Sequence, residues 1–148
     1  MHKFIYYFGS GVTEGDASMK DTLGGKGANL AQMCKLGLPI PPGFTISTGL
    51  CITYSKKHSH LTPKFKEELF IAINQLEQET NKKFGSGKKP LLLSVRSGAK
   101  VSMPGMMDTI LNLGMNDDVA KALVAETNNP RFAYDSYRRF LEMYGSVV

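Results

Sequence analysis

The sequence predicts an α+β fold, on three observations. Four short β-prone runs stand apart along the chain, at residues 3–8 (KFIYYF), 44–47 (FTIS), 91–96 (LLLSVR) and 109–113 (TILNL). Between and after them lie longer stretches with apolar residues at helical spacing. The composition is that of a folded protein: 148 residues, 42% hydrophobic and 21% charged, with glycine and proline near average usage. That suffices for one domain with a sizeable core and excludes collagen-like, low-complexity or disordered chains.

The first run is aromatic and meets Gly9, Ser10 and Gly11, which predicts a strand followed by a loop. Leu30, Met33 and Cys34 fall at helical spacing behind the turn Gly24-Gly25-Lys26-Gly27, and Gly37 supplies a stop. Residues 38–43 (LPIPPG) exclude a helix, because three prolines remove donors and hold their predecessors extended. Residues 44–47 then form a short strand, and Thr48 caps the helix after it. Thr62 followed by Pro63 marks the cap and first turn of a long helix that ends near Asn81, with Phe65, Leu69, Ile73 and Leu76 on its apolar face.

A basic turn at 84–90 (FGSGKKP) leads into 91–96, an apolar run of the kind that forms a buried strand. Residues 97–107 (SGAKVSMPGMM) carry no period and read as a mobile loop, so that 91–96 and 109–113 make a hairpin-like flap. Asn116 caps a helix to about Thr127. Asn129-Pro130 starts another, with Ala133, Tyr137, Phe140, Leu141 and Tyr144 as its stripe and 145–148 as an uncharged tail. The four strands are expected in one mixed sheet with flanking helices.

No apolar run approaches the roughly 20 residues of a membrane span, and the stretch behind Lys3 is too brief for a signal peptide. A soluble, cytoplasmic protein is expected. Cys34 and Cys51 lack a metal-knuckle or redox spacing and are read as buried free thiols. Eighteen Lys and Arg against thirteen Asp and Glu give a net charge of +5, which calls for an anionic partner. Residues 22–66 and 80–107 contain no acid at all, and each stretch holds a glycine-rich turn. A small basic nucleic-acid-binding domain is one reading of that charge. It lacks an aromatic-and-basic strand motif or a zinc finger, and its charges are scattered along helices and turns.

Phosphate recognition needs amides that an anion can approach closely, hence glycine, together with a fixed positive charge. Gly24-Gly25-Lys26-Gly27 supplies both, although a plain turn with a solvated lysine has the same sequence. It is not a Walker A loop, since glycine follows Lys26 where that motif needs Ser or Thr. Arg96 ends an apolar run, so its guanidinium either pairs with a distant buried carboxylate or faces a cleft as a clamp on polyphosphate. His58 and His60 have no Cys, Asp or Glu beside them and read as surface residues, and Ser94 and Ser97 lack the nucleophile elbow. Met103, Met106 and Met107, beside Pro104-Gly105, suit an adaptable binding surface better than core filling.

Residues 20–33 (KDTLGGKGANLAQM), 37–44 (GLPIPPGF) and above all 93–117 (LSVRSGAKVSMPGMMDTILNLGMND) closely resemble the amino-terminal part of the pyruvate phosphate dikinase family, and residues 7–16 and 128–144 fit it too. The related phosphoenolpyruvate synthase family shares the Gly-Gly-Lys and Val-Arg-Ser elements and diverges after them. The resemblance implies an ATP-grasp-like nucleotide-binding domain, with residues 1–115 in its first subdomain and 116–148 opening a helical one. It implies an enzyme that interconverts ATP, pyruvate and phosphate with AMP, phosphoenolpyruvate and pyrophosphate through a phosphohistidine, with magnesium and a monovalent cation, in a homodimeric parent. The family's ATP-binding Lys and Arg fall on Lys26 and Arg96, the latter in the catalytic role, with Gly105 and Met107 near the polyphosphate. Its metal ligands, carrier histidine and pyruvate-binding barrel fall beyond Val148, so the chain is expected to be the first part of a longer protein and inactive alone.

Overall fold

The structure, a computed structural model, describes residues 3–9, 11–56, 60–98 and 109–148. In chain order the elements are β1 (Ile5–Phe8), α1 (Lys20–Lys35), β2 (Gly43–Ile46), α2 (Thr48–Lys56), α3 (Pro63–Thr80), β3 (Lys83–Phe84), β4 (Pro90–Leu91), β5 (Leu93–Arg96), β6 (Thr109–Leu113), α4 (Asp117–Thr127) and α5 (Pro130–Val147). The described residues divide into two compact units, 3–76 with Gly98, and 77–97 with 109–148. The division falls inside α3.

The single sheet expected from the sequence is not formed among the described residues. The strands pair two by two: β1–β2 antiparallel, β3–β4 parallel and β5–β6 antiparallel. The reason at β1 is that side chains take the amides a further strand would need. Tyr7 N–H donates to Glu14 Oε2 at 2.8 Å, and Phe4 and Ile5 N–H donate to Glu68 Oε2 at 2.9 and 3.2 Å. The chain's own turn takes more of that edge, where Phe8 bridges Thr13 and Glu14 N–H donates to the Tyr7 carbonyl at 2.7 Å.

In the first unit Ile5, Leu50, Phe65 and Ala72 form the core, with Phe4, Phe44 and Leu69 packed on it. Phe4 and Phe65 meet edge to face at 6.2 Å, a favoured aromatic geometry. Thr62 caps α3 through Phe65 N–H at 3.2 Å, as the Thr-Pro pair predicts, and Asn81 beyond its end is left-handed with φ 52°.

In the second unit β6, α4 and α5 enclose Met115, Val119, Ala120, Leu123, Ala133 and Phe140. Asn116 and Asn129 cap the two helices, accepting from Val119 N–H at 2.8 Å and Phe132 N–H at 3.0 Å. Both caps stand where the sequence puts them. Glu77, in the last turn of α3, accepts from Lys83 Nζ at 2.7 Å and Phe84 N–H at 2.8 Å and so ties β3 to the helix end.

Several expectations are corrected. The run 91–96 is split at Leu92; Leu91 is buried but Ser94, Val95 and Arg96 are exposed. Among the described strands β5 pairs with β6 alone, and its burial falls away from half-buried at Leu93 to exposed at Ser94, Val95 and Arg96. Cys51 is exposed and Cys34 half-buried rather than both buried. On α5 the inward line is Ala133, Tyr137 and Phe140; Leu141 sits about 100° further round the helix and is exposed, as is Tyr144. Residues 145–147 continue α5 instead of forming a tail. The loop 97–107 lies outside the described residues beyond Gly98.

Two outcomes follow from these contacts. Glu68→Ala leaves two partly buried strand amides without their acceptor and lowers stability by about 1–2 kcal/mol; urea unfolding should show an earlier midpoint at unchanged slope, with Glu68→Gln less affected. For Glu77, the bonded Lys83 ammonium and then the Phe84 N–H hold the carboxyl below its ordinary range. A depressed folded-state value means its contribution is complete above the ordinary carboxylate range and disappears as pH falls through the folded value. Protection factors of the β3 amides, with the intrinsic pH dependence of exchange divided out, should therefore fall in acid, and Glu77→Gln should flatten that dependence.

Candidate functional site

The glycine-rich segment expected as a turn before a helix lies inside α1, where it breaks the helix. Gly24 has φ 70° and ψ 168°, in a region essentially confined to glycine. Residues 20–23 make one turn, and the helix restarts behind the break. Gly27 is required for a different reason: a Cβ there would lie 2.6 Å from Thr45 Cγ2 and 2.9 Å from Thr45 Oγ1. Together with Ala28 and Ala31, which are 0% and 1% exposed, Gly24 and Gly27 leave Leu23 as the one large side chain among the buried residues of α1, which contacts β1 and β2.

Lys26 follows the break and is half-buried, with no ion-pair partner among the described residues. The acidic residue closest before α1 is already engaged: Asp16 accepts from the Ser18 hydroxyl at 2.5 Å and the Ser18 amide at 2.9 Å and lies 3.6 Å from Lys35. The Ser18 bonds, hydroxyl first, hold that carboxyl below its ordinary value.

Arg96 ends β5 opposite Thr109 of β6. Its side chain is exposed, which removes the reading of a buried ion pair. Lys26 belongs to the first unit and Arg96 to the second, and each is positioned within its own. Gly105 and Met107, like Met103, Met106 and His58, lie outside the described residues; His60 and Ser94 are exposed. Among the described residues no group of three or more His, Cys, Asp and Glu is placed to hold a metal ion.

Two shallow recesses contain neither Lys26 nor Arg96. One, of about 360 Å³, is lined by Asn129, Arg131, Phe132, Asp135 and Arg139. The other, of about 270 Å³, lies among Glu77, Gln78, Asn81, Lys82, Lys83 and Lys89. Their carboxylates are paired, Asp135 with Arg138 and Arg139 and Glu77 with Lys83.

Sequence reasoning missed Thr45 and misjudged Thr48. Thr45 is the wall against which Gly27 packs. Thr48, read as a helix cap, is the first residue of α2, and its hydroxyl donates to the Asp21 carbonyl at 2.6 Å. No local pattern announces either contact, because each joins residues far apart in the chain.

Residues 20–70 and 57–142 match the family model described as pyruvate phosphate dikinase, AMP/ATP-binding domain. The chain is 62% identical over its whole length to a pyruvate, phosphate dikinase of Rickettsia bellii (strain RML369-C) and covers 17% of that relative. It is 54% identical over its whole length to the protein of that name from Rhizobium meliloti (strain 1021), covering 16% of it. With pyruvate, phosphate dikinase 1, chloroplastic, of Oryza sativa subsp. japonica it shares 54% over 99% of its length and 15% of the relative's. The chain thus spans about a sixth of the length of the curated relatives it matches. On the extent of the model match and on these identities, the chain belongs to the pyruvate phosphate dikinase AMP/ATP-binding domain family.

Proposed function

We propose that this chain is the ATP-binding amino-terminal part of an enzyme that interconverts ATP, pyruvate and phosphate with AMP, phosphoenolpyruvate and pyrophosphate. It would be built on an ATP-grasp-like domain, with residues 1–115 in the first subdomain and 116–148 opening a helical one. The observation that carries the reading is Lys26, a half-buried lysine with no described ion-pair partner, just behind a glycine break in α1, in a chain that matches an AMP/ATP-binding domain. A helix start offers amides to an anion, and an ammonium beside it offsets phosphate charge.

Arg96 takes the second role. A guanidinium can hold two phosphate oxygens while charge shifts between them, which a lysine's point charge cannot. Gly105 and Met107 complete the proposed polyphosphate lining. In this reading the ligands of the magnesium that accompanies ATP, the carrier histidine and the pyruvate site would belong to the remainder of the longer parent; among the described residues no group of three or more His, Cys, Asp and Glu is placed to hold a metal ion. A homodimeric, cytoplasmic parent goes with this reading, and no helix among the described residues is long and apolar enough to cross a membrane.

The chain alone should bind ATP weakly and form neither AMP nor pyrophosphate, because phosphoryl transfer needs bridging metal and an aligned acceptor. Calorimetry with ATP, and with an unrelated oligonucleotide at two salt concentrations, tests this. Oligonucleotide binding that falls steeply with salt while ATP fails to compete would favour a nucleic-acid-binding domain instead.

Because Arg96 is exposed, Arg96→Lys and Arg96→Ala should each change stability by no more than about 0.5 kcal/mol. In the full-length protein Arg96→Lys should slow the ATP half-reaction by about a hundredfold. Unchanged rates together with a large fall in melting temperature would refute the assignment.

A further inference from the structure

The corner between β2 and α2 touches α1 on both sides of its break. Behind the break, Thr45 of β2 presses on Gly27, where no Cβ could fit. Ahead of it, the Thr48 hydroxyl donates to the Asp21 carbonyl at 2.6 Å. Ser47, between these two contacts, is 3% exposed, and its amide is bonded to the Phe4 carbonyl at 2.8 Å, so the corner is itself anchored to the strand pair. Thr48 gives the Asp21 carbonyl, in the short helical piece ahead of the break, a donor from outside the helix.

We infer that Thr48 is a positioning residue for nucleotide binding: its hydroxyl, working against the Thr45–Gly27 contact, holds the break in α1 in the one shape that directs Lys26 and the restarted turn toward phosphate. The inference rests on the proposed role of Lys26. Two contacts straddling a flexible glycine fix the angle between the two helical pieces, whereas either alone would leave it free to swing. Lys26 sits just behind that joint, so a small change of angle is carried to its ammonium.

Thr48→Val keeps the shape of the side chain and removes the hydroxyl; Thr48→Ser keeps the hydroxyl. In the full-length protein Thr48→Val should raise the Kd and KM for ATP about fivefold, the range of one hydrogen bond, with kcat and melting temperature little changed. Thr48→Ser should recover most of the affinity. Amides 25–28 should exchange faster in Thr48→Val than in Thr48→Ser. Lys26→Ala serves as the reference. If Lys26→Ala weakens ATP binding and Thr48→Val does not, Thr48 has no positioning role; if Lys26→Ala leaves ATP binding unchanged, the reading beneath it fails and takes this one with it. Loss of the folded state in Thr48→Val, with Thr48→Ser intact, would make the hydroxyl structural and overturn the inference.

Discussion

The close approach of α1 to the β1–β2 pair is the constraint on which the first unit depends. Beside the buried Leu23, the inner face of α1 consists of Gly24, Gly27, Ala28 and Ala31, small residues that let the helix pack against the strands. The same approach brings Gly27 against Thr45 and the first turn within reach of Thr48. Glycine at position 24 then has a second consequence: it permits a backbone conformation closed to other residues and so divides the helix ahead of Lys26. Packing and the candidate site therefore draw on one set of residues.

Several acidic side chains are spent on architecture. Glu14 and Glu68 close the free edge of β1, Glu77 joins β3 to α3, and Asp135 is shared by Arg138 and Arg139. Each carboxylate accepts from a backbone amide or a neighbouring cation, which satisfies donors that a small sheet cannot pair internally. Lys26, by contrast, lies in one of the two stretches that contain no acid. The uneven use of charge makes a half-buried ammonium without a described partner informative, where a surface lysine on a balanced helix is not.

The two cationic residues of the proposed site are held in different ways. Lys26 sits on a helix whose position is set by tight packing, while Arg96 ends a strand whose only described partner is β6. A group on a packed helix is precise, and one at the end of a two-stranded ladder has more freedom to adapt. For polyphosphate, which changes charge distribution during transfer, a fixed ammonium and an adaptable guanidinium are complementary.

Local signals in the sequence determined the helix boundaries that rest on capping: Thr62-Pro63, Asn116 and Asn129-Pro130 stand where their chemistry requires, because a cap is satisfied within three residues of itself. The strand at Thr109–Leu113 and its antiparallel partner were legible from their local residue pattern, and the sequence also set Lys26 and Arg96 in acid-free stretches, on which their proposed role rests. Only the tertiary structure decided what spans distance in the chain. The described strands form three ladders, and at β1 the outer edge is taken by Glu68, sixty-three residues from Ile5, and by residues 13–14. Of the run 91–96, read as a buried strand, Leu91 is buried but Ser94, Val95 and Arg96 are exposed, since composition records hydrophobicity but not which positions are covered. The glycine turn stands inside α1 as a break at Gly24, and the packing of Gly27 on Thr45 and the bond from the Thr48 hydroxyl to the Asp21 carbonyl join residues too far apart in the chain for a local pattern to show.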